Sequence, residues 1–260
     1  MKSFLHSDRP IVTTILAAAN EWDTPAEIAR AVEKGTDAFL LSIETMKREQ
    51  RTPRVFSALL AAMGDKPCCV TCYRRGDVED ETEERRCELL LSALDCGAVM
   101  ADVRADLFDP RDGEFSTDEA AVEKQTAFVR LIHEKGKEAV MSSHTFFGGV
   151  CRFVPKEEVL RIAAEQQKRG ADIAKIVTGA DTEEELLECF EAQLLCKKQI
   201  DIPVLLLCVG RRAMRHRLAG GLIYEPIVFV KEADAEPPYT ATQPPLAVMV
   251  GLLNNAAPLS

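Results

Sequence analysis

The feature that most constrains this chain is a rhythm. Short, continuous apolar runs alternate with longer, charged, amphipathic stretches through all 260 residues. The runs lie at 11–16, 38–43, 68–72, 98–102, 139–143, 172–177, 204–209 and, less sharply, 222–229. A strand apolar on every residue is buried on both faces, as in parallel sheets covered by helices. Eight such strands in about 250 residues predict an α/β fold, a (β/α)8 TIM barrel. No linker-like stretch divides the chain, so a single domain over 1–260 is expected. A doubly wound sheet is the alternative. Its glycine-rich first turn is missing, because Leu16-Ala17-Ala18-Ala19-Asn20 follows the first run.

The stretches between the runs carry helical spacing, at 54–63, 81–94, 117–135, 156–169, 182–198 and 246–253. The first helix opens at Thr24-Pro25-Ala26-Glu27, which reads as a capping box with proline at the first helical position. Ile28, Ala31 and Val32 then share one face. Gly35, Gly64, Gly97, Gly136 and Gly170 follow helices and read as their C-terminal caps.

Charge excludes some partners. Lys and Arg number 32 against 42 Asp and Glu, a net charge of −10. Such a surface repels phosphate backbones and anionic lipid, so neither nucleic acid nor a membrane is expected as a partner. No apolar stretch approaches the roughly 18 residues that span a bilayer. The N-terminus reaches charged residues before any apolar leader forms, and the nine cysteines have no framework spacing. A reducing, cytoplasmic setting is expected. Cys69 and Cys72 form a lone C-x-x-C inside an apolar run and read as buried packing; no metal and no cofactor are expected.

In a barrel, side chains at the C-terminal ends of strands meet in one bowl. Polar residues that close apolar runs are therefore candidates. Lys175, within Asp172-Ile173-Ala174-Lys175-Ile176-Val177, is flanked by apolar residues. A desolvated amine is the nucleophile that forms a Schiff base with a ketone. His144 closes the preceding run, and imidazole moves protons near neutral pH. Asp102 closes the fourth run and either orients the imidazole or tethers a loop. Arg211-Arg212-Ala213-Met214-Arg215-His216-Arg217 follows the seventh run, and one arginine there is expected to clamp a carboxylate. The segment 232–245, with four prolines, reads as a loop over the barrel mouth.

Together these residues resemble the type I 3-dehydroquinate dehydratases, (β/α)8 barrels that act through a lysine Schiff base. Ser142-Ser143-His144-Thr145-Phe146 is similar to the family's S-x-H-D-F strand, with Thr145 for its aspartate, and implies that His144 is the catalytic histidine. Gly170-Ala171-Asp172-Ile173-Ala174-Lys175 resembles G-A-D-x-x-K and implies that Lys175 forms the imine. His216-Arg217-Leu218-Ala219-Gly220 resembles S-R-L-x-G and implies that Arg217 binds a carboxylate. The strand of Asp102 resembles D-x-E, with Arg104 replacing the glutamate.

The departures cluster on substrate contacts. The family's E-x-R-x-D strand reads Leu40-Leu41-Ser42-Ile43-Glu44 here. Its F-T-x-R strand end reads Val70-Thr71-Cys72-Tyr73, with the arginine either replaced by Tyr73 or displaced to Arg74, and no following E-G-G turn. Its S-A-P-G-Q loop reads Tyr239-Thr240-Ala241-Thr242-Gln243-Pro244, which makes Thr240 and Gln243 candidate substrate contacts beside Arg74 and Arg217. The resemblance implies a homodimeric lyase of the shikimate pathway that dehydrates 3-dehydroquinate. The departures point to a related cyclic oxo acid with a different hydroxyl pattern. A catalytically silent binding protein and an aldolase-type lyase using the same lysine are the alternatives.

Overall fold

The computed structural model describes residues 3–5, 7–75, 81–223, 225–232 and 242–256. Its strands are β1 (Ile11–Leu16), β2 (Ala38–Ser42), β3 (Cys68–Thr71), β4 (Met100–Arg104), β5 (Glu138–His144), β6 (Phe146–Phe147), β7 (Val150–Cys151), β8 (Ile173–Gly179), β9 (Val204–Val209) and β10 (Ile227–Val230). Its helices are α1 (Thr24–Glu33), α2 (Pro53–Ala62), α3 (Glu83–Asp95), α4 (Glu119–Glu134), α5 (Lys156–Lys168), α6 (Glu183–Gln199), α7 (Ala213–Ile223) and α8 (Leu246–Asn255).

Eight strands form one sheet in the order β10-β1-β2-β3-β4-β5-β8-β9. The pairings β1–β2, β2–β3, β3–β4, β5–β8 and β8–β9 are all parallel. Each strand lies beside the next in sequence, with the small β6–β7 hairpin set apart and the last strand beside the first. This is the strand order of the expected (β/α)8 barrel.

Two local expectations need correction. Helix α1 starts with Asp23 as its N-cap and makes no side-chain cap bond. Thr24 Oγ1 instead accepts the Asn20 N–H at 2.9 Å, so the chain enters the helix one residue early. A capping box does form at Thr182 and Glu185, opening α6. The eighth strand begins at Ile227 rather than 222, because Leu222 and Ile223 end α7, a helix the apolar pattern did not show. The five expected cap glycines all have positive φ.

The chain divides into two compact units. One is built on Ile11–Asp102 and the described residues of Val228–Ser260. Its β1, β2 and β3 are buried on nearly every residue, with Phe39, Leu41, Ile28, Phe56 and Leu59 fully enclosed. The other unit is built on Val103–Ile227. Here Ala174 and Ile176 of β8 and Leu206 and Cys208 of β9 pack with Val159 and Ile162 of α5 and Cys189 and Ala192 of α6. Strand side chains alternate between faces. Lys175, Val177, Leu205 and Leu207 therefore point away from the helix layer. Gln166 of α5 reinforces this setting, with its Nε2 donating to Ser143 Oγ at 3.1 Å and to the Lys175 carbonyl at 3.2 Å.

Candidate active site

Lys175 is held by the alternation just described. Its neighbours Ala174 and Ile176 are claimed by the helix layer, so its side chain is forced onto the opposite face. It is only 4% exposed. Ser142 of β5 is its register partner, and His144 lies two residues further along the same strand, paired with Val177. Two residues apart on one strand face the same way, so His144 and Lys175 share a face at a Cα separation of about 8 Å from strand spacing and rise. Both side chains are long enough to meet across that gap.

The imidazole is held on two sides. Its Nδ1 lies 2.5 Å from Glu114 Oε2. Its ring stacks on Phe146 of the hairpin, with centroids 6.0 Å apart. The hairpin itself is seated against the end of β8. A Cβ on Gly179 would lie 2.7 Å from the Phe153 nitrogen, so glycine alone allows the backbones this close.

Glu114 comes from the turn after β4, and that turn is built around strain and charge. Phe108 and Glu114 both have positive φ, at 70° and 49°, without being glycine. Each such residue costs roughly 1 kcal/mol, so the surroundings must over-determine the conformation. Gly113, at φ 78°, lies flush against Phe147, where a Cβ would approach Cζ to 3.2 Å. Arg104 Nε and Nη2 donate to the two oxygens of Asp106 at 3.0 and 3.1 Å. Arg104 Nη2 also lies 3.4 Å from Glu114 Oε1. Ala105 N–H donates to the Ser142 carbonyl at 2.8 Å, which ties the turn to β5. Burial acts to raise the Glu114 carboxyl, but His144, Arg104 and Lys175 outweigh it and bring its pKa down to about 2. A carboxylate therefore stands against His144 at any working pH.

Asp102 accepts the Tyr73 hydroxyl at 2.6 Å, and the carboxylate found on His144 Nδ1 is that of Glu114. Burial first, and then Asp102, keep the Tyr73 phenol protonated. Arg74 forks onto Glu83 of α3, with Nε and Nη2 donating at 2.6 and 2.9 Å. Gln243 is buried and Thr240 lies outside the described residues. Arg217 is enclosed on α7, and its Nε donates to the Cys208 carbonyl at 2.9 Å. Burial draws its pKa down to about 10, which leaves it cationic at neutral pH. Around it, Glu225 is bonded by Gln193 Nε2, and His216 stacks on Phe190 at 5.0 Å. Lys175, His144 and Arg217 belong to one unit; Asp102, Arg74 and Gln243 belong to the other. Cys69 and Cys72 are buried thiols, and burial followed by Glu44 pushes the Cys72 thiol far up.

Sequence reasoning missed Glu114. One signal was present: an arginine, Arg104, stands where the resemblance calls for a glutamate, and a buried arginine requires a carboxylate close by.

Fold and site together define an α/β-barrel protein with a dry lysine and a carboxylate-held histidine on adjacent strands. The model of the family described as type I 3-dehydroquinase matches residues 12–257, and the chain belongs to that family. It is 18% identical to a 3-dehydroquinate dehydratase of Geobacillus kaustophilus, at a TM-score of 0.79 over 99% of this chain and 97% of that one. It is 19% identical to the type I enzyme of Clostridium difficile, at a TM-score of 0.76 over 96% and 93%. In sequence it is 28% identical to the 3-dehydroquinate dehydratase of a Geobacillus species, strain WCH70, over 46% of this chain and 45% of that protein. The chain thus spans about half the length of such curated relatives where it matches them.

Proposed function

We propose that the chain is a hydro-lyase that removes water from 3-dehydroquinate or a related cyclic oxo acid through an imine on Lys175. The observation that carries this reading is Lys175 itself: 4% exposed, turned away from the helix layer, one strand from His144. The neutral amine adds to the ketone, and loss of water from the carbinolamine leaves an iminium. The positive nitrogen acidifies the adjacent C–H. His144 takes that proton, the resulting enamine expels the β-hydroxyl, and a proton from His144 lets it leave as water. Hydrolysis of the conjugated iminium frees the product and the amine. Arg217, cationic and enclosed, supplies the charge for the substrate carboxylate. The family resemblance alone assigns Gln243 and Thr240 to substrate binding and Asp102 to catalysis. Arg74 is a weaker participant, since Glu83 already engages its guanidinium. The Clostridium difficile relative is described with covalently modified comenic acid, which supports a covalent route in this fold.

Leu40 and Ser42 are buried where the family carries charge, and this favours a substrate with fewer hydroxyls to hold. The same observation favours the second reading, a silent binding protein. Borohydride trapping with 3-dehydroquinate, followed by intact mass, separates the two. A reduced adduct on the wild-type chain, absent from Lys175→Ala, supports the lyase; no adduct with any cyclic oxo acid leaves the silent reading. An aldol cleavage would give the adduct and a fragment in place of water. None of the nine cysteines forms a disulfide among the described residues, which goes with a cytoplasmic setting, and the family resemblance implies a homodimer. Among the described residues no helix is long and apolar enough to cross a membrane.

A further inference from the structure

We infer that Glu114 is the positioning residue of the histidine: it fixes the proton on His144 Nδ1 and so leaves Nε2 as the nitrogen that exchanges protons with substrate. The inference rests on the imine reading above and adds the origin of its acid–base geometry. Three observations converge. The Glu114 Oε2 to His144 Nδ1 distance is 2.5 Å, and an ionised carboxylate is an acceptor only, so the proton between them belongs to the ring nitrogen. The second Glu114 oxygen faces Arg104, itself anchored on Asp106, so the carboxylate cannot swing without breaking a second contact. The backbone of Glu114 is held in the left-handed region by a turn whose Gly113 lies flush against Phe147, next to the Phe146 that stacks on the imidazole. Carboxylate and ring are thus braced by the same hairpin. The charged and titratable groups that face Glu114 are His144, Arg104, Lys175 and, from β7, Cys151.

The consequence concerns division of labour on the imidazole. With Nδ1 occupied, one nitrogen serves both proton removal and leaving-group protonation, so both steps fall on the face that Nε2 presents. Loss of the anionic partner removes the acceptor that holds the proton on Nδ1. It also frees the ring to adopt the other tautomer.

The test uses the full chain and 3-dehydroquinate. Wild-type protein is first trapped with borohydride; absence of a Lys175 adduct sinks the imine reading and is distinguishable from failure of this one. Given the adduct, Glu114→Gln is expected to lower kcat about tenfold or more and to change KM by less than about threefold. A kcat within about twofold of wild type overturns the inference. Because the variant is capable of failing to fold, nitrogen-15 histidine spectra of the wild type, with His144→Asn to assign the resonance, give an independent answer. A neutral ring protonated on Nδ1 supports the role; a ring protonated on Nε2 overturns it.

Discussion

Two polar clusters in the same unit handle buried charge in opposite ways. On the site side, Arg104, Asp106, Glu114 and His144 are paired, and pairing wins over burial: the Glu114 carboxyl falls to about 2. To the rear, on or just past the helices that follow β8 and β9, Gln193, His216 and Glu225 are enclosed beside Arg217, the proposed carboxylate binder, and burial wins over pairing. His216 is pulled down to about 3 and Glu225 is pushed well above the carboxylate range, in each case with burial as the first cause. The first cluster keeps its Glu114 carboxylate ionised. The second holds an uncharged imidazole and an uncharged acid around a single cation, Arg217. Titratable groups on adjacent elements therefore differ in kind, and proximity to the barrel strands does not by itself mark a catalytic group.

The largest effect expected comes from removing the amine. Lys175→Met should abolish the borohydride adduct and lower turnover by at least about a thousandfold, since the proposed imine forms on that amine. It should also raise the Glu114 pKa, because Lys175 is one of the charges that lower it. An adduct of unchanged yield in the Lys175→Met chain would break the comparison at its root.

Next is the acid response of the rear cluster. His216 has a folded pKa of about 3 against 6.5 unfolded, so the unfolded chain binds the extra proton between those values. Its contribution is present above pH 6.5 and is lost as pH falls, amounting to about 2 kcal/mol between pH 6.5 and 4.5. Neither ring nitrogen has a hydrogen-bond partner among the described residues. His216→Leu should therefore fold well and flatten that part of the curve in urea titrations. An unaltered slope would show that His216 is solvated.

The site cluster should respond in a lower window. Glu114 has a folded pKa of about 2 against 4.5, so its contribution is full above pH 4.5 and is lost as pH falls toward 2, about 3 kcal/mol in all. Glu114→Gln should remove the decline below pH 4.5 and leave the one above it. Two separable windows, each erased by one substitution, would establish the contrast; a single merged transition would erase it.

How much of this was legible beforehand follows the same physics. The double-faced apolar runs and cap glycines showed the strand order, because parallel strands buried on both sides announce themselves residue by residue. Lys175 was visible as a charge inside such a run. Helix α7 was not, because the face it buries carries His216, Arg217, Gly220 and Gly221 in place of an apolar stripe. The hairpin was present as Gly148-Gly149 between two apolar pairs, a local turn signal that went unused. Glu114 was hidden for a different reason. Its partner is 30 residues away, and its role depends on a positive φ that no side-chain pattern encodes.

The smallest expected effect tests the rear cluster from its acidic member. A carboxyl whose folded pKa is raised holds its proton in the native state, while the unfolded chain releases it above 4.5. Stability from this group is therefore full below pH 4.5 and falls as pH rises toward the folded value. Glutamine has the same shape and does not titrate. Glu225→Gln should lose that alkaline slope and gain on the order of 1 kcal/mol at pH 8 relative to pH 5, read from urea midpoints at the two values. The gain is modest because Gln193 Nε2 must keep its acceptor and Arg217 loses a potential counter-charge. If Glu225→Gln instead weakens the protein equally at both pH values, Glu225 is ionised beside Arg217. The rear cluster would then be an ion pair like the one in front.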